Sequence, residues 1–497
     1  MNMSFFLRPT VLSAVVFLAA CGSGGGGNEE PVVSGEVRAQ DTRTFTPAPL
    51  NSTAVYPDYQ AAADGQASFT ALSGYEASSR WAGQLNGSAY RVEVPPNWNG
   101  ELVMYAHGFR GTGAALTTGN PPIRRYLLDK GYAWAASSYS RNYYDVRAGI
   151  EDTNALALAF NTIAASGGRP LAAPAKVFIT GVSMGGHIAA AAVEAEALAQ
   201  ANSKVRYAGA VPMCGVTGDT QLFDTFTAMQ IGAQAVAGVP NSPLADWASV
   251  ATQVNTALWS AFPSPATPSA SPTPTALGER YVSIVKNLTG GERPLFRLGL
   301  QRGGSFASSY GTFGGDGTVN GILNKFGVDT TRYTYTIDGD PAGSAAINAA
   351  AQKVTAAPLA NARRDDGLRW IPQVNGDFGV PVVAIHTLGD LFVPFSMIQI
   401  YRQRAEAQGN GNRLVTRAIR GISHCDFTVA EQAEAFDAMA AWEKGGAKPA
   451  GDDVVTPSVV AASNFGCAFS RPPVAGVDAA TTTALRGLVA QSGATCP

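Results

Sequence analysis

The sequence of 497 residues predicts an α/β fold, a mostly parallel sheet covered by helices on both faces. Three observations predict it. Apolar runs of strand length recur along the chain with helical stretches between them. One of these runs, "AKVFITG" at residues 175–181, leads straight into a glycine-flanked serine and then an alanine-rich helix. A hydrophobic content of 46% over this length is enough to bury a large core, and the length alone is that of about two to four domains.

The chain begins with "MNMSFFLRPTVLSAVVFLAA", in which Arg8 precedes a short apolar run that reaches Cys21 in "LAAC". A run this short is a poor membrane span and a good export signal. It resembles a bacterial lipoprotein signal peptide. The resemblance implies cleavage before Cys21, a lipid on that cysteine and, with Gly22 next, sorting to the outer membrane; a plain secretory peptide is the alternative. A lipid at one point tethers a chain without burying its folded body. Residues 1–20 are therefore read as signal, and residues 21–55, glycine-rich and then polar, as a flexible tether.

The first part of the core spans residues 56–215. "AYRVEVP" (89–95) and "ELVMYAHG" (101–108) flank the turn-like "PNWNG" and read as a hairpin at a sheet edge. "YAWAASSY" (132–139) is the next strand, with the helix "IRRYLLDKG" before it and the longer helix "DTNALALAFNTIAASG" after it. "AKVFITG" follows, then the alanine-rich helix "HIAAAAVEAEALAQAN" (187–202), then the apolar strand "VRYAGAVPMCG" (205–215). The alternation then stops, and residues 216–380 read as an inserted cap. Here "TFTAMQIGAQAVAG" and "AAINAAAQKVTAAPLANARR" have helical patterns, while the proline-rich "FPSPATPSASPTPTALG" reads as an extended surface loop. The glycines of "GSFASSYGTFGG" lack a phosphate-binding lysine and read as cap or surface loop. Residues 381–497 complete the core with the strands "GVPVVAIHTLGD" and "LVTRAIRGISHCDF", the helix "VAEQAEAFDAMAAWEKGG" and a C-terminal tail.

The serine is Ser183, in the strand-turn-helix run "KVFITGVSMGGHIAAA". Gly181, Gly185 and Gly186 leave room for a sharp elbow that lifts the hydroxyl clear of the sheet. A serine hydroxyl is a weak nucleophile and needs a base. The chain has four histidines, at 107, 187, 386 and 424. With the order nucleophile, acid, base, His424 alone follows both partners, in a turn after the last core strand. His187 reads as a hydrogen-bonding residue at a helix start. For the acid, Asp390 in "HTLGDLFVP" lies just past the carboxyl end of a strand, where open parallel sheets place their sites. Asp426 is near His424 in sequence but sits in a turn that directs it elsewhere. Asp219 and Asp224 fit only if the acid comes from an earlier strand.

The elbow "GVSMG", the dipeptide "HG" at His107 and Gly108, the acid turn "GDLFVP" and the histidine turn "SHCDF" together resemble the α/β-hydrolase superfamily, over about residues 89–441 outside the insertion. The resemblance implies hydrolysis of an ester, an amide or a related acyl compound, with Ser183, Asp390 and His424 as the triad. It implies oxyanion donors at the backbone N–H groups of Met184 and Phe109, with His107 and Gly108 shaping the oxyanion loop. A weaker likeness to tannase and feruloyl-esterase relatives concerns a disulfide beside the histidine. Cys214 ends the strand after the nucleophile helix and Cys425 adjoins His424, so both are expected at the carboxyl rim of the sheet and are expected to pair. In those relatives the first cysteine adjoins the serine, where this chain has Val182. Cys467 and Cys496 are then expected to pair in the tail, although four cysteines permit three pairings and free thiols are the alternative.

The implied chemistry is acyl hydrolysis of a small or oligomeric ester, with no cofactor and no metal. An extracellular serine peptidase, a polyester depolymerase and a non-catalytic surface binding protein are the alternatives. A formal net charge of -2, with 14% charged residues, supplies no basic field for nucleic acid. Four dispersed histidines form no paired metal-binding motif.

Overall fold

The computed structural model describes residues 30–35, 43–62, 65–242, 246–264, 267, 269–309, 327–494 and 496. The signal-like run and Cys21 lie outside the described residues, as do residues 310–315 of "GSFASSYGTFGG". Eight strands form the central sheet: β1 (Ser79–Leu85), β2 (Ser88–Val94), β3 (Glu101–Ala106), β4 (Ala133–Ser137), β5 (Lys176–Val182), β6 (Gly209–Met213), β7 (Val382–Thr387) and β8 (Leu414–Ile419). Their spatial order is β1-β2-β4-β3-β5-β6-β7-β8. β2 runs antiparallel to β1 and β4, and the remaining neighbours are parallel.

Strands buried on both faces explain the apolar runs. In β3, Leu102, Met104 and Ala106 face a core shared with the helices Val146–Ser166 and Met184–Ala191, whereas Val103 and Tyr105 face the helices Arg124–Asp129 and Val429–Glu443. This sheet, flanked by helices and bearing further helical insertions, is consistent with an α/β-hydrolase fold.

The hairpin expected between residues 89–95 and 101–108 does not form, because β4 lies between β2 and β3. β2 instead turns back on β1 through Asn86 and Gly87, both at positive φ, a pair suited to a tight hairpin turn. β1 escaped the sequence reading because Trp81 is its one buried residue, as expected of an edge strand. The helix read over 187–202 is broken into Met184–Ala191 and Ala195–Gln200. At the break the Glu194 backbone is extended, and its carboxylate accepts hydrogen bonds from the N–H groups of Gly376 and Asp377 at 3.0 and 2.8 Å. Tertiary partners thus override alanine's helix preference. The pattern read as helix over 345–364 is helical in Pro341–Ala350, and Ala351 is already extended. The proline-rich stretch contributes Thr273–Pro274 to a short antiparallel ladder with Trp259–Ala261.

Between β6 and β7 the described residues hold the helices Gln221–Ala237, Trp247–Leu258, Ala276–Leu288, Phe296–Arg302, Ser305–Ser309 and Pro341–Ala350. Phe226, Tyr281 and Tyr335 from this region belong to the same apolar cluster as Val382 and Ala384 of β7. The insertion and the sheet share one core. Parts of the segment read as a tether also lie on the body. Val32–Val33 pairs with Arg363–Arg364, and Glu30 meets the buried guanidinium of Arg369 at 2.6 Å. Among the described residues no helix is long and apolar enough to cross a membrane.

One ion pair fastens the edge of the sheet. Glu93 of β2 is fully buried and accepts from Arg124 Nε at 2.6 Å, Arg124 Nη2 at 3.0 Å and the Trp134 indole at 2.8 Å. Removing one partner strands the other charge in the core. Arg124→Met is expected to cost about 3–5 kcal/mol in urea unfolding, whereas Glu93→Leu combined with Arg124→Met recovers most of it. A double variant as unstable as the single one would contradict this account.

Candidate active site

Ser183 ends β5 and opens the helix Met184–Ala191 at φ 59° and ψ -122°. A non-glycine residue at such an angle carries about 1–3 kcal/mol of strain, which the surrounding structure must hold in place. Two features hold it. The Ser183 N–H donates to the carbonyl of Met213 at 3.0 Å, and Gly185 lies so close to the end of β3 that a Cβ there would overlap the Ala106 carbonyl. Glycine at 185 lets the helix start against the sheet, and the serine side chain is directed away from it.

His424 and Asp390 converge on this point. His424 Nε2 is 2.8 Å from Ser183 Oγ, and His424 Nδ1 is 2.7 Å from Asp390 Oδ2. Asp390 is fully buried, and its other oxygen accepts from the N–H groups of Phe392 and Val393 at 2.9 and 3.0 Å. With Oδ1 occupied by two backbone donors, Oδ2 is left for the imidazole. Nδ1–H then donates to the carboxylate, and the Nε2 lone pair faces the serine hydroxyl. This is the geometry of a Ser-His-Asp catalytic triad.

The other histidines and acids have different partners. His187 Nε2 donates to the Pro372 carbonyl at 2.7 Å and Nδ1 accepts from the Tyr144 hydroxyl at 2.8 Å; burial pushes its pKa down to about 4. His386 Nε2 donates to the Val393 carbonyl at 2.8 Å and so fastens the turn that carries Asp390, a role that its place at the end of a strand did not reveal. His107 stacks on Tyr139 with ring centroids 4.1 Å apart, and its Nδ1–H donates to the Gly108 carbonyl at 2.7 Å. Burial, seconded by Arg110, pushes its pKa down to about 3, so this ring stays neutral. Asp219 pairs with Arg404 at 2.5 Å, and Asp224 accepts from the Asp329 N–H at 2.9 Å. Asp426 lies 3.6 Å from Arg486 and accepts from the Ile422 N–H at 3.3 Å.

Gly108 lies against the nucleophile: a Cβ built on it would come within 3.1 Å of Ser183 Cβ and 3.6 Å of Oγ. With the Gly108 carbonyl held by His107, the Phe109 N–H of the same trans peptide points the opposite way. Met184 is the first residue of its helix, where N–H groups have no partner within the helix. Phe109 is 38% exposed.

Cys214 and Cys425 form a disulfide with Cα atoms 5.4 Å apart, and Cys467 and Cys496 form a second with Cα atoms 5.5 Å apart. The first joins the end of β6 to the histidine turn across 211 residues of sequence. Its Cys425 sulfur lies 3.5 Å from His424 Nε2. Among the described residues, Cys214, His424 and Cys425 bring ligand-type atoms within 4.8 Å of one another, but both sulfurs are spent in the disulfide. A row of rings leads away from the triad. Phe392 is 5.3 Å from His424, Phe226 is 6.0 Å from Phe392, Phe223 is 6.0 Å from Phe226, and Tyr144 is 5.0 Å from Phe223. Phe223 and Phe226 come from the insertion, and no local motif marks them.

No protein-family profile matches the chain. A 93-residue stretch, 19% of this chain, is 31% identical to o-phthalyl amidase of Xanthobacter agilis and covers 20% of that protein. The chain thus spans about a fifth of the length of this curated relative. Among solved structures it is similar to feruloyl esterase B from Aspergillus oryzae, with a TM-score of 0.42, 15% identity and coverage of 75% of this chain and 82% of that one. It is also similar to esterase 2 of Thermogutta terrifontis, with a TM-score of 0.35, 14% identity and coverage of 76% and 98%.

The disulfide beside His424 closes a long loop and touches the base. Replacing both Cys214 and Cys425 with serine is expected to lower unfolding stability by about 2–5 kcal/mol. Ester turnover should fall more than thermal stability alone accounts for, measured well below the melting temperature. Turnover unchanged in the folded variant would show that the bridge does not position the histidine.

Proposed function

We propose that the protein is a serine hydrolase that cleaves carboxylic esters through an acyl-enzyme on Ser183. The observation that carries this reading is the continuous hydrogen-bonded series from buried Asp390 through His424 to the strained Ser183. His424 Nε2 takes the hydroxyl proton as Ser183 Oγ attacks the ester carbonyl, and Asp390 stabilises the imidazolium that forms. The backbone N–H groups of Met184 and Phe109 are assigned as donors to the tetrahedral oxyanion. This is supported by the position of Met184 at a helix start and by the close approach of Gly108 to the serine. Protonated His424 gives its proton to the leaving alcohol, and the acyl-enzyme remains. Water then attacks the acyl carbon, with His424 again as base, and releases the acid.

The ring of Phe392 beside the imidazole, continued by Phe226 and Phe223, favours an apolar or aromatic group on the substrate. A second reading, cleavage of an amide, is favoured by the stretch similar to o-phthalyl amidase and uses the same triad. The signal-like N-terminus supports export, with a lipid on Cys21 as the anchor. Residues 216–380 are assigned as the insertion that controls access, with residues 56–215 and 381–497 as the catalytic core.

The test is hydrolysis of p-nitrophenyl esters, from acetyl to long acyl and benzoyl, beside aryl amides and aminoacyl p-nitroanilides. Ester turnover is expected, lowered about 10^4-fold to 10^6-fold by Ser183→Ala and about 10^4-fold by Asp390→Asn. Cleavage confined to the amides would select the second reading. Activity that survives Ser183→Ala would overturn both.

A further inference from the structure

We propose that the inserted segment from Arg293 to Ser305 is a positioning element of the triad, a clamp that holds the acid turn and the histidine turn in register from outside the core sheet. The inference rests on the serine hydrolase reading above and extends it to residues that lie away from the reacting atoms.

The segment grips both turns through bonds that each join a side chain to a backbone atom. Arg293 Nε donates to the carbonyl of Leu388 at 2.8 Å, two residues before Asp390. The Leu391 N–H, one residue after Asp390, donates to Ser305 Oγ at 3.1 Å. The acid is therefore held on both sides by the insertion. On the other turn, Ser423 Oγ donates to the Gly303 carbonyl at 2.6 Å, one residue before His424. Between these bonds the helix Phe296–Arg302 lies directly on the backbone. A Cβ on Gly299 would overlap the Gly389 carbonyl, and one on Gly303 would overlap the Ile422 carbonyl. The turns also meet each other, since the Gly389 N–H donates to the Gly421 carbonyl at 2.9 Å. Three backbones are thus packed at a distance that only glycine allows.

Arg293 is poorly explained as a surface residue. It is buried, and its guanidinium is met by the Leu388 and Gly291 carbonyls and the Thr289 hydroxyl, with the Phe296 and Phe395 rings on its flanks. Burial pushes its pKa down to about 9, and the charge of Asp390 acts against that fall.

The clamp is tested by Gly299→Ala and Ser305→Ala, with Ser305→Thr as the conservative variant and Arg297→Ala as control. Arg297 lies on the same helix but is exposed and pairs with Glu279. Alanine is a better helix former than glycine, so any loss in Gly299→Ala comes from the contact with Gly389 and not from the helix itself. The readouts are kcat and KM for the best p-nitrophenyl ester, thermal unfolding, and the low-field Nδ1–H proton resonance of His424, identified by its loss in His424→Gln. The clamp predicts that kcat falls about tenfold or more in the two alanine variants, with KM nearly unchanged and the resonance shifted. Ser305→Thr should restore kcat and resonance, and Arg297→Ala should alter neither. Folded variants with kcat within about twofold of the parent and an unmoved resonance would overturn the clamp. If Gly299→Ala does not fold, the Ser305 pair decides by the same criteria. If the parent hydrolyses no ester, the functional reading fails on its own, and the resonance in Ser305→Ala still decides whether the insertion holds the histidine.

Discussion

An imidazole that must meet a carboxylate with one nitrogen and a hydroxyl with the other can move very little. His424 is in that position, bonded at 2.7 Å to Asp390 and at 2.8 Å to Ser183. The three residues come from three turns, after β5, after β7 and after β8. Helices, β6 and the insertion lie between β5 and β7 along the chain, and a helix lies between β7 and β8; the parallel sheet brings their ends near. Much of the architecture serves that arrangement. The close approach of Gly185 to β3 sets the serine, two backbone N–H groups set the carboxylate, and a disulfide with an arginine from the C-terminal helix sets the histidine turn.

That last support shows how far the constraint reaches. Arg486 donates to the Asp426 carbonyl at 2.5 Å and to both oxygens of Glu431, which also caps the helix Val429–Glu443. The tail is stapled in turn by the Cys467–Cys496 bridge. A residue sixty positions beyond Asp426 is therefore part of what keeps the base in place.

The sheet was legible in the sequence where strands are buried on both faces, because β3, β5 and β7 are continuous apolar runs. The elbow was legible because its glycines are local. The triad was legible through scarcity, since one histidine of four follows both partners in chain order. What escaped depends on distant contacts. β1 has one buried residue and gives no apolar run, so β2 was assigned the wrong partner. The break at Glu194 depends on the N–H groups of Gly376 and Asp377, about 180 residues away, and the alanines around it favour an unbroken helix. Phe226, Gly299 and Ser305 carry no signature, because their roles exist only once the insertion lies on the core. His386 was visible as a strand-end histidine, but its bond to the carbonyl of Val393 was not.

The docking of Glu30 on Arg369 has a consequence of scale. Eight residues lie between Cys21 and Glu30. A fully extended chain of that length spans about 30 Å. If Cys21 carries the lipid proposed for it, that reach would keep the body within about 30 Å of the bilayer surface. So short a leash would limit the enzyme to what reaches the membrane, and polymer chains lying beyond that thin layer would stay out of range until something else had shortened them.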